Sequence, residues 1–293
     1  MSCLTLESGD QLYYEDTEKG EKTVVMLHGW SSSHEVYDPV VKKLRKTVRC
    51  VTYDHRGHGK SRDIRNTAVT LDTLAYDLHL LIRTLDLKDI TLAGWSMGAA
   101  VSMRYMAEYG CGRLCQAVLC DMSPKQMNDD RWQLGLNRGS YTRETMAQDA
   151  GKDFYDIYRS FVFNTIPKLE KVPEPLIRRA LMKELNGCSV EILKSLSQSM
   201  KEADLRKDVE KITVPVNYFY ADPGSLFSPA LAVWYREHVR APYRSVIFPA
   251  STHMMISDHP DRFASELLKV IRGEVTYKER SGVFPQDTDR GEA

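Results

Sequence analysis

Short apolar runs that stop abruptly on a polar or turn-forming residue recur along this chain, and they limit its fold more than any other feature. Leu12-Tyr13-Tyr14 leads into a charged turn at 16–21. The run at 23–27 stops at His28-Gly29, 50–53 at Asp54, 90–93 at Gly94, and 116–120 at Asp121. The run at 216–220 stops at Ala221-Asp222, and 245–248 at Pro249. Runs this short and blunt suit strands buried on both faces, as in a parallel sheet. Between them, Leu71, Leu74, Ala75, Leu78, Leu81, Ile82 and Leu85 recur at three- and four-residue steps, and Phe263, Leu267, Leu268 and Ile271 do the same near the end. Each set is the apolar stripe of a helix. The alternation predicts an α/β fold with a mostly parallel central sheet and helices on both faces.

The alternation breaks between Met122 and about Lys211. That stretch has helical patterns (Leu176, Ile177, Ala180, Leu181; Ile192, Leu193, Leu196, Met200), prolines at 167, 173 and 175, and a concentration of aromatic residues. It reads as a helical cap inserted between two strands. Residues 1–121 and 212–272 are therefore expected to form the core, 122–211 the cap and 273–293 a polar tail. At 293 residues the chain is long enough to bury a core without staples.

Charge removes some functions. Forty Lys and Arg balance 40 Asp and Glu, whereas binding through nucleic-acid phosphates needs a basic excess. No stretch approaches the roughly 18 apolar residues of a membrane span, and Glu7 interrupts the N-terminus too early for a signal-peptide core. The six cysteines form no Cys-x-x-Cys pair and are read as buried or inert thiols. No nucleic acid, membrane, metal or cofactor is expected, and a cytoplasmic setting is. Nothing in the sequence speaks to oligomeric state.

Gly94-Trp95-Ser96-Met97-Gly98 matches G-x-S-x-G. It follows a strand run and opens a helix, the context in which this pattern presents a nucleophile. The serine must sit in a strained, tight turn, so its neighbours two before and two after must lack bulk. The helix start then aims N–H groups and the positive end of its dipole at the serine.

With this motif the chain resembles the α/β-hydrolase superfamily over nearly its whole length. His28-Gly29-Trp30 resembles the family's oxyanion loop. The segment from Asp54 through Arg56, Gly57 and Gly59 to Ser61 resembles its D-x-R-G-x-G-x-S turn, and Ser251-Thr252-His253 sits where the family places its base. The resemblance implies the α/β-hydrolase fold. It implies Ser96 as nucleophile, His253 as base, and the backbone N–H groups of Trp30 and Met97 as oxyanion donors. The single-glycine loop implies poor acceptance of esters of bulky tertiary alcohols. Serine at the nucleophile argues against the dehalogenase and epoxide hydrolase branches, which use aspartate there.

The acid stays open between two residues. Aligning Val214-Pro215 with the family's strand start puts its usual acid position near Gly224, which is no carboxylate, and Asp222 falls two residues early. Asp121, at the end of the strand after the nucleophile helix, matches a second location used in the superfamily. Both satisfy the order Ser, acid, His. Asp54 and Arg56 are read as a structural pair beside the site, and His28 as structural.

The expected activity is hydrolysis of a small, largely apolar ester or lactone through an acyl-enzyme. C–C bond hydrolysis, cofactor-free haloperoxidase-like chemistry and a ligand-binding receptor with little turnover use the same scaffold and remain alternatives.

Overall fold

Near-continuous burial along the central strands, on both faces, sets the architecture. In the computed structural model, which describes residues 2–149 and 151–277, the strands are β1 (Ser2–Thr5), β2 (Gln11–Asp16), β3 (Lys22–Leu27), β4 (Val48–Tyr53), β5 (Ile90–Trp95), β6 (Leu114–Cys120), β7 (Val216–Gly224) and β8 (Tyr243–Thr252). They form one sheet in the order β1-β2-β4-β3-β5-β6-β7-β8. Pairs β1–β2 and β2–β4 are antiparallel and the rest parallel. Val24, Met26, Ala93, Trp95, Val118 and Cys120 face one apolar layer. Their neighbours Val25, Leu27, Leu92, Ala117 and Leu119 face the other.

Helices cover both faces, as the sequence pattern predicts. Helices α1 (Asp38–Leu44) and α11 (Pro260–Arg272) close the first layer. Helices α2 (Leu71–Thr84), α3 (Met97–Tyr109), α8 (Arg206–Glu210) and α9 (Leu231–His238) close the second. The stripe read at 71–85 is the buried side of α2, started by a Thr70–Thr73 capping box. The short α10 (Met255–Asp258) precedes α11. One strand, β1, was not predicted. It is a short edge whose burial never becomes complete, so it carries no apolar run to read.

Between β6 and β7 the named elements are helical: α4 (Arg143–Ala147), α5 (Phe154–Thr165), α6 (Glu174–Asn186), α7 (Val190–Glu202) and α8. Helix α7 lies along α2, with Leu71 N–H donating to Ser199 Oγ at 3.0 Å and Ser195 Oγ to the Val69 carbonyl at 2.9 Å. Beyond residue 277 the tail read at 273–293 lies outside the described residues. Among the described residues no helix is long and apolar enough to cross a membrane. The described cysteines are free. Cys50, Cys111 and Cys120 are buried, and Cys3 and Cys115 are exposed.

The expected Asp54–Arg56 pair is also corrected. Arg56 forms a two-pronged bond with Asp77 of α2, Nε to Oδ2 at 2.6 Å and Nη2 to Oδ1 at 2.7 Å. Asp54 instead accepts from the His34 backbone N–H at 2.7 Å, from the His34 ring and from Lys60 N–H at 2.8 Å. The cause is steric and electrostatic. Asp77 sits on a helix face turned wholly inward, where an unpaired carboxylate is costly. Burial raises its pKa even against Arg56.

Replacing Arg56 by Met strands that carboxylate. Urea unfolding should show a loss of about 3–5 kcal/mol, and Arg56→Met with Asp77→Leu should lose clearly less than the single change. A single-variant loss below about 1 kcal/mol would mean that Asp77 is already solvated.

Candidate active site

Ser96 is held by crowding. It joins β5 to α3 with φ 54° and ψ −121°, far outside the usual regions for a side-chain-bearing residue. The turn is that tight because α3 starts hard against the sheet. A Cβ on Gly94 would strike the Gly98 carbonyl, and one on Gly98 would strike the carbonyls of Leu27 and His28. Only glycine fits at either place. The Gly29–Trp30 loop lies directly across this turn, since a Cβ on Gly29 would sit 3.2 Å from Cβ of Ser96.

The parallel register gathers the other groups. Gly94 pairs with Leu119 and Trp95 with Cys120, so Ser96 and Asp121 leave adjacent strands side by side. Strands β7 and β8 run on beyond that line, with an irregularity between Asp222 and Pro223, and carry His253 back over the sheet edge. There His253 Nε2 lies 2.9 Å from Ser96 Oγ, and His253 Nδ1 lies 2.8 Å from Asp121 Oδ2. Asp121 is fully buried and His253 nearly so, while Ser96 keeps partial access. Two further bonds hold the ring's backbone: Trp95 Nε1 donates to the His253 carbonyl at 2.9 Å, and His253 N–H to the Gly224 carbonyl at 2.9 Å.

Of the two aspartates weighed from sequence, Asp121 meets His253 and Asp222 does not. Asp222 is half-exposed and faces Arg138 at 3.8 Å. Arg138 also donates to the carbonyls of Pro223 and Ser225, clamping the turn after β7. Ser225 was missed from sequence. Its Oγ donates to Asp121 Oδ1 at 2.7 Å, satisfying the buried carboxylate oxygen that His253 does not use. The available signal was its place beside Gly224, where the family's usual acid would stand.

The N–H groups of Trp30 and Met97 donate to no described residue. Trp30's ring packs among Phe154, Tyr158 and Phe161 of α5, with centroids 6.2, 5.7 and 5.2 Å away.

Behind this loop lies a buried histidine cluster. His28 Nε2 accepts from His55 N–H at 3.0 Å, so its Nδ1 carries the proton given to the Gly29 carbonyl at 2.7 Å. His58 Nε2 accepts from Ser31 N–H at 3.2 Å, and its Nδ1 donates to the Arg56 carbonyl at 2.9 Å. Both tautomers follow from these bonds. Burial lowers the pKa of His28 to about 4 and of His58 to about 3, and takes His55 well below its ordinary value. For His34, burial is outweighed by Asp54 and Glu15, and its pKa is raised. The nitrogens of His28 and His58 are committed to backbone. Among the described residues no group of three or more His, Cys, Asp or Glu is arranged to hold a metal ion.

A serine hydroxyl bonded to an imidazole, itself bonded to a carboxylate, can pass a proton from the hydroxyl as its oxygen attacks an electrophile. The alpha/beta hydrolase fold profile matches residues 22–260. The non-heme chloroperoxidase of Kitasatospora aureofaciens is 35% identical over 128 residues, which span 43% of this chain and about half, 46%, of that protein. A pimeloyl-[acyl-carrier protein] methyl ester esterase of Nitrosomonas europaea is 25% identical over 87% of this chain and 97% of its own. Among solved structures, an esterase from Exiguobacterium antarcticum superposes with a TM-score of 0.78 at 23% identity, covering 92% of this chain and 99% of that one.

The depressed histidines set an acid limit on stability. Above their unfolded pKa near 6.5 they are neutral in both states and cost nothing. As pH falls, the unfolded chain takes up protons that folded His28 and His58 refuse until about pH 4 and 3. Stability should therefore fall from about pH 6.5 downward. The drop in urea midpoint between about pH 7.5 and about pH 4.5 should be smaller in His58→Gln than in wild type. Equal drops would mean that His58 protonates while folded.

Proposed function

The chain belongs to the α/β-hydrolase fold family, and we propose that it is a serine hydrolase cleaving a small, largely apolar carboxylic ester or lactone. The continuous hydrogen-bond chain from Ser96 Oγ through His253 to Asp121 carries this reading. Ser96 Oγ attacks the carbonyl carbon while His253 Nε2 takes its proton. The bond to the leaving oxygen then breaks, and His253 returns the proton to that oxygen, leaving an acyl-Ser96 ester. Water attacks the ester with its proton passing to His253, the acid departs, and Ser96 recovers its hydrogen. Asp121 holds Nδ1–H toward itself and stabilises the imidazolium formed in each half. The N–H groups of Trp30 and Met97 receive the oxyanion, aided by the α3 dipole.

Residues 122–211 act as a cap, and the aromatic side chains of α5 give the site an apolar wall. The free cysteines support a reducing, cytoplasmic setting. The partner is a small-molecule ester or lactone.

One comparison favours a second reading. The relative at 35% identity is named a non-heme chloroperoxidase, and such chemistry would use the same three side chains. Peroxide- and bromide-dependent halogenation of monochlorodimedone, lost in Ser96→Ala, would establish it, whereas ester turnover without halogenation keeps the first.

A fluorophosphonate probe should label the wild type and not Ser96→Ala. That variant should lose on the order of 10⁵–10⁶ in kcat on p-nitrophenyl esters. A wild type folded by circular dichroism that stays unlabelled would overturn the reading.

The acid is tested separately. Asp121→Asn should cost about 10⁴-fold in kcat through the wrong imidazole tautomer, and Asp222→Asn less than about tenfold. Equal small losses would mean that neither orients His253.

A further inference from the structure

The oxyanion loop contains a strained residue with an unusual set of supports. Ser31, directly after Trp30, has φ +59°, a conformation that side-chain-bearing residues adopt at a cost. Ser31 N–H lies in the Trp30–Ser31 peptide, which shares the Trp30 Cα with the Gly29–Trp30 peptide that carries the Trp30 N–H, so whatever holds Ser31 restrains the donor from one residue away. The support is His58. The fully buried imidazole accepts from Ser31 N–H at 3.2 Å and is oriented by its own bond to the Arg56 carbonyl at 2.9 Å.

The loop is tied a second time, through the Trp30 side chain. Trp30 Nε1 donates to the Leu193 carbonyl at 2.9 Å, in the first turn of α7. The two anchors are joined to each other. Ser189 N–H, at the start of α7, donates to the Gly57 carbonyl at 2.7 Å, and His58 forms a bridge with Cys188. The path from Ser31 through His58, Gly57, Ser189 and Leu193 back to Trp30 is closed. A segment between β6 and β7 thus braces a loop that leaves β3.

We propose that His58 is a positioning residue for the Trp30 oxyanion donor, acting with the Leu193 carbonyl so that the packing of α7 sets turnover. This rests on the proposed role of the Trp30 N–H. His58 touches no reacting atom. It holds a strained backbone so that the donor meets the oxyanion, which forms only in the transition state. Loosening the brace should therefore lower kcat and leave KM nearly unchanged.

The test uses the full chain, p-nitrophenyl butyrate, and active sites counted by fluorophosphonate titration to completion. His58→Phe keeps a ring and removes the acceptor. His58→Gln returns an acceptor at the reach of Nε2. Trp30→Phe removes the indole N–H and keeps an aromatic ring. Per titrated site, His58→Phe and Trp30→Phe should each lower kcat about 10- to 100-fold with KM within about threefold. Affinity for a trifluoromethyl ketone transition-state analogue should fall by the same factor as kcat/KM. His58→Gln should stay within about fivefold of wild type, and the double Phe variant should lose far less than the product of the singles, since both act through one loop. A role in folding alone would reduce the titrated fraction and leave kcat per site and analogue affinity alone, and that result overturns the proposal. If His58→Phe does not fold, unchanged kcat and analogue affinity in Trp30→Phe overturn it equally. A folded wild type that takes no fluorophosphonate overturns the serine hydrolase reading and the brace with it. A labelled wild type beside an unaffected Trp30→Phe overturns the brace alone.

Discussion

The close approach of α3 to the carboxyl end of the sheet is the constraint on which the rest of the site depends. The helix begins so near β3 and β5 that carbonyls occupy the space where side chains at 94 and 98 would stand. That contact forces the positive φ of Ser96 and lifts its hydroxyl clear of the sheet. It also leaves the first N–H of α3 without an intrahelical acceptor, as at every helix start. One steric fact thus presents a hydroxyl and an unbonded helix-start N–H to the same space.

The sheet converts this local strain into a site. Parallel strands end at one edge, so segments far apart in sequence emerge as neighbours. Ser96 and Asp121 come together through plain register. His253 needs more, because β7 and β8 must overrun the edge before the chain can turn back. The polar groups there are then satisfied one by one: Ser225 on the second oxygen of Asp121, Trp95 on the carbonyl of His253, Arg138 on the turn that holds Ser225. Without Ser225 that oxygen would keep only a long 3.4 Å bond from Ala221 N–H, a costly state for a buried carboxylate, so Ser225 belongs to the site as much as to the fold.

The layer behind the loop at 28–31 follows a different logic. His28, His55 and His58 sit where water does not reach, and burial keeps them neutral. A neutral imidazole offers one donor and one acceptor at a fixed spacing, which suits it to joining two backbone groups that cannot join each other. His28 and His58 do this for the loop at 29–31. His34 differs because Asp54 lies against it, and it takes a proton more readily than its neighbours.

Sequence alone determined the features that local chemistry dictates. The blunt apolar runs required a parallel sheet covered on both faces, and the glycines flanking Ser96 required a tight turn. The order Ser, acid, His left few histidines to serve as base. What it could not determine were choices between chemically similar groups whose distances depend on how elements pack. Asp121 and Asp222 both stand where an apolar run stops, and only the overrun of β7 and β8 brings His253 to the first and leaves the second to Arg138. Arg56 has Asp54 two residues away, but the inward face of α2 buries Asp77 and claims the guanidinium. Ser225, the Leu193 carbonyl and the tie from His58 to Ser31 carry no pattern of their own. A hydrogen bond across the fold needs only a donor and an acceptor, and tertiary structure alone decides which ones meet.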